Sequence, residues 1–267
     1  MKIWYWKNKK YYNANKQKIN VKKTKIMITG AKNNKPRGNI ILDDEIIYNL
    51  PTIKILGTLF SESAKFNENV QLGPNSFITG LKRRSNIIIR ISKSYNINFR
   101  TQFINSILIG KIRYNLSTWG NINLNLKNKI NKIILKTVDL STQDHWIRKS
   151  VTWKMKMMKI DDYFTLFRKS CFKLTFNLLN SNGNAASILL SKDLSIRNIS
   201  ENKCGPTVDN SGWTYISQNF FIYQMRTLYN SLPRDLTLCQ SRTTFKKWMD
   251  FFFTKTEFQR LPTSQKW

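Results

Sequence analysis

Apolar and polar positions alternate over the first sixty residues and then change to helical spacing. Thr24 to Thr29 alternates through Ile26 and Ile28 and reads as a short strand, ended by Gly30 and the turn-rich run from Asn33 to Gly38. Asn39 to Leu42, the acidic turn Asp43-Asp44, and Glu45 to Tyr48 read as a hairpin. After Leu50-Pro51, the run from Ile53 to Phe60 supplies another strand, in which Gly57 marks a bulge or a close backbone approach. Ahead of these, the first twenty residues are aromatic and basic and read as the end of a helix followed by a loop. The expectation is a small antiparallel β-element.

Beyond Phe66 the pattern is helical. Pro74 suits a first helical turn, and Phe77, Ile78, Leu81, Ile88 and Ile91 recur at three-and-four spacing up to about Ser94. Phe99, Phe103, Leu108 and Ile112 mark a second amphipathic helix; Leu126, Ile130, Ile133, Ile134 and Val138 mark a third. In the third, Lys127, Lys129, Lys132 and Lys136 alternate with apolar positions, as a buried stripe with a basic outer side would. A connector from Ser141 to Val151 leads to Trp153 through Leu179, one or two helices interrupted near Asp161-Asp162. Asn180 to Asn184 is a polar break, and Ile199 to Trp213 reads as a loop. Phe220 to Tyr229 regains apolar character, Asn230 to Pro233 is a turn, and Thr243 to Phe253 closes as a helix.

Charge changes this picture from a fold to a partner. The 267 residues carry 45 Lys+Arg against 15 Asp+Glu, a net charge of +30, far beyond what solubility requires. With 41% hydrophobic and 13% aromatic residues the charge sits on a folded body and not on a histone-like tail. Its distribution says more than its total, because an AT-rich genome also inflates Lys. Met1 to Leu42 has twelve basic residues and no acid, and Asn69 to Val138 again has twelve and none. Helical surfaces normally mix signs, so phosphates are the natural counter-charge for such blocks. No uncharged apolar run approaches a bilayer span, and the opening residues lack a signal peptide's apolar stretch, so the chain reads as soluble, intracellular and without membrane binding. Cys171, Cys204 and Cys239 form no CxxC pair, which argues against a zinc ribbon or disulfide framework and for a reducing compartment.

Candidate catalytic groups are few. Asp43-Asp44 could hold magnesium as polymerase carboxylates do, but adjacent Asp residues are ordinary turn formers and no partner Asp stands on a preceding strand. Asp161-Asp162 suits a helix N-terminus, and His145, the single histidine, has no nucleophile-elbow sequence to work with. Trp4, Tyr5, Trp6, Tyr11 and Tyr12 could stack bases but read better as the buried side of a helix; Trp119, Trp153 and Trp248 read as core.

Three stretches together resemble the C-terminal half of non-LTR retrotransposon reverse transcriptases. Asn15 to Gly30, with Ile19-Asn20, Lys23-Thr24-Lys25 and Met27, is similar to the segment that follows that family's catalytic aspartates, with Gln17 where the family usually has Leu. Ile53-Lys54-Ile55-Leu56-Gly57-Thr58-Leu59-Phe60 is similar to the strand that grips the primer end. Tyr229-Asn230-Ser231-Leu232-Pro233 followed by Thr244-Phe245-Lys246 is similar to the close of such reading frames. Leu81-Lys82-Arg83-Arg84 and Gly110-Lys111-Ile112-Arg113-Tyr114 fall where the family's thumb begins and continues.

The resemblance implies an α+β chain: a palm remnant with hairpin and primer-grip-like strand over 1–66, a basic helical thumb over 67–140, and a mainly helical C-terminal extension over 141–267. It implies that Lys23 matches a lysine that helps protonate departing pyrophosphate, and that Leu56 and Gly57 are primer-grip-like. The family's aspartates would precede Asn20, where no acid stands, so the chain binds no metal alone and magnesium is expected only in a complete family enzyme. The function implied is a truncated reverse transcriptase whose thumb binds an RNA–DNA or DNA template-primer through Lys82, Arg83, Arg84, Arg90 and Lys93, then Lys111, Arg113, Lys127, Lys129, Lys132 and Lys136. Three alternatives are a fragment or subunit of an active RNA-directed DNA polymerase that joins the missing half, a non-enzymatic nucleic-acid-binding remnant, and the marginally folded product of a decayed reading frame.

Overall fold

The computed structural model describes residues 14–15, 20, 23–28, 39–42, 45–55, 57–62, 66–71, 76–180, 229–239 and 241–254. Expectations for the first thirteen residues with their tryptophans, Asp43-Asp44, Leu56, Pro74, Cys204, the loop from Ile199 to Trp213 and the apolar run from Phe220 to Leu228 lie outside them. The described chain is mainly helical with two small antiparallel sheets, an α+β arrangement with its strands first. It divides into two compact units, 1–69 and 70–267.

In the first unit β1 (Ile40–Leu42) pairs with β2 (Glu45–Ile47) as the hairpin expected around the acidic turn. The run from Ile53 to Phe60 is not one strand. It is a second hairpin, β3 (Thr52–Ile55) against β4 (Thr58–Ser61), in which Ile55 faces Thr58 and Gly57 between them has φ 82°. That left-handed backbone is costly for any residue with a Cβ, so Gly57 makes a reversal where a bulge or a close backbone approach was expected. The strand expected over Thr24 to Thr29 shrinks to one bridge: Ile26 faces Asn49, the Leu50 amide donates to the Ile26 carbonyl at 2.9 Å, and the Ile28 amide donates to Asn49 Oδ1 at 3.1 Å. Just before it Asn20 closes a tight turn, its carbonyl and side chain both accepting from the Lys23 amide.

The helices begin with α1 (Asn67–Gln71) and α2 (Phe77–Ser92). Ser76 starts α2 by accepting from the Thr79 amide, and similar caps by Asn96, Asn123, Ser150 and Asp162 start four later helices. Next come α3 (Ile97–Phe103), a π-helical turn (Ile104–Ile109), α4 (Gly110–Arg113) and α5 (Leu116–Trp119). The π-helical turn buries Ile104, Leu108 and Ile109. Asn105 and Ser106 side chains donate to the carbonyls of Thr101 and Gln102 just ahead of it. Then follow α6 (Leu124–Ser141), α7 (Val151–Met157), α8 (Tyr163–Leu179), α9 (Arg234–Thr237) and α10 (Arg242–Thr254).

α2 packs along α6. Leu81, Ser85, Ile88 and Ser92 are its buried stripe, and the two serines are small enough to let the helices approach. Across the seam Ser85 Oγ lies 2.6 Å from Thr137 Oγ1, which itself donates to the Ile133 carbonyl, so Ser85 is the donor and both hydroxyls are satisfied. Leu126, Ile130, Ile134 and Val138 continue the core on α6, each fully buried aliphatic contributing about 2 kcal/mol. Gly120 ends α5 against α8, where a Cβ would stand 2.4 Å from both the Leu116 carbonyl oxygen and the Phe167 ring. A second core joins Phe172 and Phe176 of α8 to Tyr229, Leu232, Leu236, Phe245, Met249 and Phe253.

Two aromatic expectations fail. Trp119 is buried as expected, but Trp248 is 48% exposed, because the inward stripe of α10 runs through Phe245, Met249 and Phe253. Phe99, expected on the buried stripe of its helix, is 39% exposed. Among the described residues no helix is long and apolar enough to cross a membrane.

Candidate nucleic-acid interface

A groove of about 580 Å³ runs between α2 and α6. Lys82 and Asn86 line it from α2, Lys129, Lys132, Ile133 and Lys136 from α6, with Ser76, Ile78 and Ser85 completing the walls. Lys129, Lys132 and Lys136 are spaced three and four apart, so they form one stripe on one helix face. The N-terminus of α2 at Ser76 adds the positive end of its dipole. Among the described residues no acidic side chain lies within ion-pair distance of these four lysines.

Five of the described acids that follow Val138 are engaged elsewhere. Lys154 Nζ, on a buried side chain, meets Asp139 Oδ1 at 2.6 Å; Lys169 Nζ meets Asp161 and Asp250 at 3.0 Å; Asp162 accepts from the Thr165 amide. Arg100, 2% exposed, is held by Asp144 through Oδ1 at 2.5 Å and Oδ2 at 2.7 Å. Its counter-charge is a carboxylate 44 residues away, so Arg100, counted within the acid-free block, does not belong to the exposed charge. His145 is half exposed beside the same Asp144, at 4.0 Å.

The basic residues singled out from sequence do not form one surface. Successive residues on a helix point about 100° apart. Lys82 therefore faces the groove, Arg83 faces outward, and Arg84 lies on the other flank, its Nη1 3.4 Å from the Ile107 carbonyl. Arg90 and Lys93 are exposed outside the groove walls. Lys111 lies over the Phe77 ring at 5.9 Å. Arg113 is one of the cations acting on Lys173.

Lys127 is a correction to the basic outer side expected of α6. Two residues from Lys129, it points about 200° away, toward α8. Its Nζ donates to Asn121 Oδ1 at 3.2 Å and sits 5.7 Å over the Phe167 ring. Burial lowers its pKa to about 8, against a weaker upward pull from Cys171, whose own thiol burial pushes up to about 12. Below about 8 the folded protein must keep this buried amine charged, whereas between about 8 and 10.5 the unfolded chain holds the proton and the folded one does not. Stability from this group thus rises with pH through that window. Lys127→Met should stabilise the fold at pH 7 by about 2 kcal/mol, with the gain shrinking toward pH 10. Urea unfolding of both proteins at the two pH values tests this, and a loss of stability at pH 7 would show the amine to be a net structural asset.

A smaller pocket of about 130 Å³ lies between α8 and α10, lined by Lys173, Phe176, Asn177, Arg242, Phe245 and Lys246. Burial lowers the pKa of Lys173; Asp250 opposes this, and Lys246, Arg113 and Lys169 reinforce it. Sequence reading missed this cluster because acids stand nearby in the chain and hide its local excess of cations.

Lys23, exposed in the first unit, has its amide in the Asn20 turn. Gly57 is exposed in its turn. Among the described residues no three His, Cys, Asp or Glu side chains converge. Cys171 and Cys239 are free thiols. No protein-family model matches the chain, and no curated protein or solved structure matches it significantly.

Proposed function

We propose that the chain is a reverse-transcriptase-like, thumb-type nucleic-acid binder that seats a template-primer backbone in the groove between α2 and α6 and does not polymerise alone. One observation carries the reading: Lys82, Lys129, Lys132 and Lys136 converge on one groove with no carboxylate partner among the described residues, while the nearby acids are spent on buried cations. Lysines without protein partners on a rigid two-helix wall neutralise phosphates by releasing counterions, and they read backbone charge and shape in place of base identity. The family part of the reading rests on the motifs around Asn20, Gly57 and Tyr229.

A second reading, a subunit of an active RNA-directed DNA polymerase, draws on the first unit. Ile41 and Ile46 face each other across the hairpin and both are exposed, as are Tyr48 and Ile55, an apolar display suited to another polypeptide.

Two measurements test the first reading. Binding to a blunt RNA–DNA hybrid, measured by anisotropy from 50 to 200 mM salt, should give a log–log slope of about −3.6 for four phosphate contacts. A flat salt response would remove the groove reading. On a hybrid whose DNA primer has a recessed 3′ end opposite an RNA template overhang, with magnesium and deoxynucleotides, the chain alone should not extend the primer, and incorporation would overturn the inactive-remnant reading.

A further inference from the structure

Three aromatic rings gather at the corner between α2 and α3, outside the groove walls. Tyr95 and Phe99 stack with centroids 4.7 Å apart and an interplanar angle of 27°, and Phe103 closes the cluster at 4.8 Å from Phe99 and 6.0 Å from Tyr95. Phe103 is partly buried, but 46% of Tyr95 and 39% of Phe99 face solvent. The corner is rigid. Buried Arg100 donates from Nε to the Tyr95 carbonyl at 2.6 Å and from Nη2 to the Lys93 carbonyl at 3.4 Å, and Asn96 caps α3 at the Phe99 amide. Arg90 and Lys93 stand just ahead of it in the chain with exposed positive charge, and the one carboxylate joined to the corner, the half-exposed Asp144, is paired with Arg100.

Aromatic rings held open to water on a rigid corner, inside a basic field, match the chemistry of single-stranded recognition, where π-faces take bases and cations take the backbone. We propose that Tyr95 and Phe99 form a stacking platform for unpaired bases of a single-stranded nucleic acid. This rests on the reading of the chain as a nucleic-acid binder and adds its substrate class: a duplex that carries a single-stranded extension.

The test uses the full chain with two probes, a blunt RNA–DNA hybrid and the same hybrid with a single-stranded extension carrying 2-aminopurine. Stacking should quench the 2-aminopurine on binding. Tyr95→Ala with Phe99→Ala should abolish the quench and weaken binding of the extended probe about tenfold, with the blunt hybrid unaffected. Tyr95→Phe with Phe99→Tyr should retain both signals. Should the double alanine variant lose its circular dichroism, Tyr95→Ala alone, ahead of the helix, carries the same comparison. Unchanged quenching in the alanine variants overturns the platform. A wild-type chain that binds the blunt hybrid but does not quench the extension overturns the platform and leaves the groove. Quenching of the extension without binding of the blunt hybrid does the reverse.

Discussion

Lys129→Glu, Lys132→Glu and Lys136→Glu together are expected to weaken binding of an RNA–DNA hybrid roughly a hundredfold at 50 mM salt. Each exposed lysine facing a phosphate contributes about 1 kcal/mol, and a total of about 3 kcal/mol corresponds to about two decades in Kd. The stripe lies on the exposed side of α6, so the folded state should be unaffected apart from a small relief of like-charge repulsion. A charge-matched control separates groove from global field: Arg148→Glu, Lys156→Glu and Lys247→Glu change exposed sites outside the groove by the same net charge. That control should cost several-fold at most, since charges more than a Debye length from the contact are screened. Equal losses in the two triple variants would mean that binding follows net charge alone, and the groove would lose its role. The sequence motif Lys82-Arg83-Arg84 makes a poorer test, because only Lys82 of the three lines the groove.

Arg100→Met is expected to destabilise the second unit by about 3 kcal/mol, or on the order of 10 °C in Tm for a unit of this size. The guanidinium ties three chain segments together: the Lys93 and Tyr95 carbonyls at the end of α2, the Ser141 carbonyl at the end of α6, and the Asp144 carboxylate beyond it. Methionine fills the space but leaves those carbonyls without their donor. The hydrogen bonds from Arg100 hold Asp144 down at about 2. A carboxylate whose folded pKa lies below its unfolded value stabilises the fold above the unfolded value, near 3.8, and that contribution is lost as pH falls through about 2. Asp144 is half exposed, so Asp144→Asn should cost less than Arg100→Met and should flatten stability between pH 4 and 2. Chemical unfolding of the wild type and both variants checks this. A change of less than about 1 kcal/mol for Arg100→Met would show that water replaces the guanidinium at those carbonyls. Well below the transition its affinity for the blunt hybrid should match the wild type, since a buried side chain meets no phosphate.

Much of the fold is legible in local pattern. The hairpin around Asp43-Asp44 and the helices over Phe77, Leu126, Tyr163 and Arg242 follow from the period of apolar residues and from capping side chains, both of which act over a few residues. The π-helical turn is not legible, because Phe99, Phe103, Leu108 and Ile112 read as one regular helix. The second hairpin is less legible, because Ile53 to Phe60 is apolar and β-branched on both sides of Gly57 and reads equally as one strand.

Sequence alone determined the order of strands before helices, the concentration of positive charge, and the acid-free span from which the groove lysines come. Tertiary structure alone decided which charges are usable. Lys127 and Lys129 are near neighbours in the chain, yet α8 covers one and leaves the other on the groove, and Arg100 leaves the surface because Asp144 waits at the end of a different helix. Spacing along a helix sets the direction in which a side chain points, but whether that direction meets solvent, a carboxylate or a phosphate depends on what packs there, and those partners lie dozens of residues away.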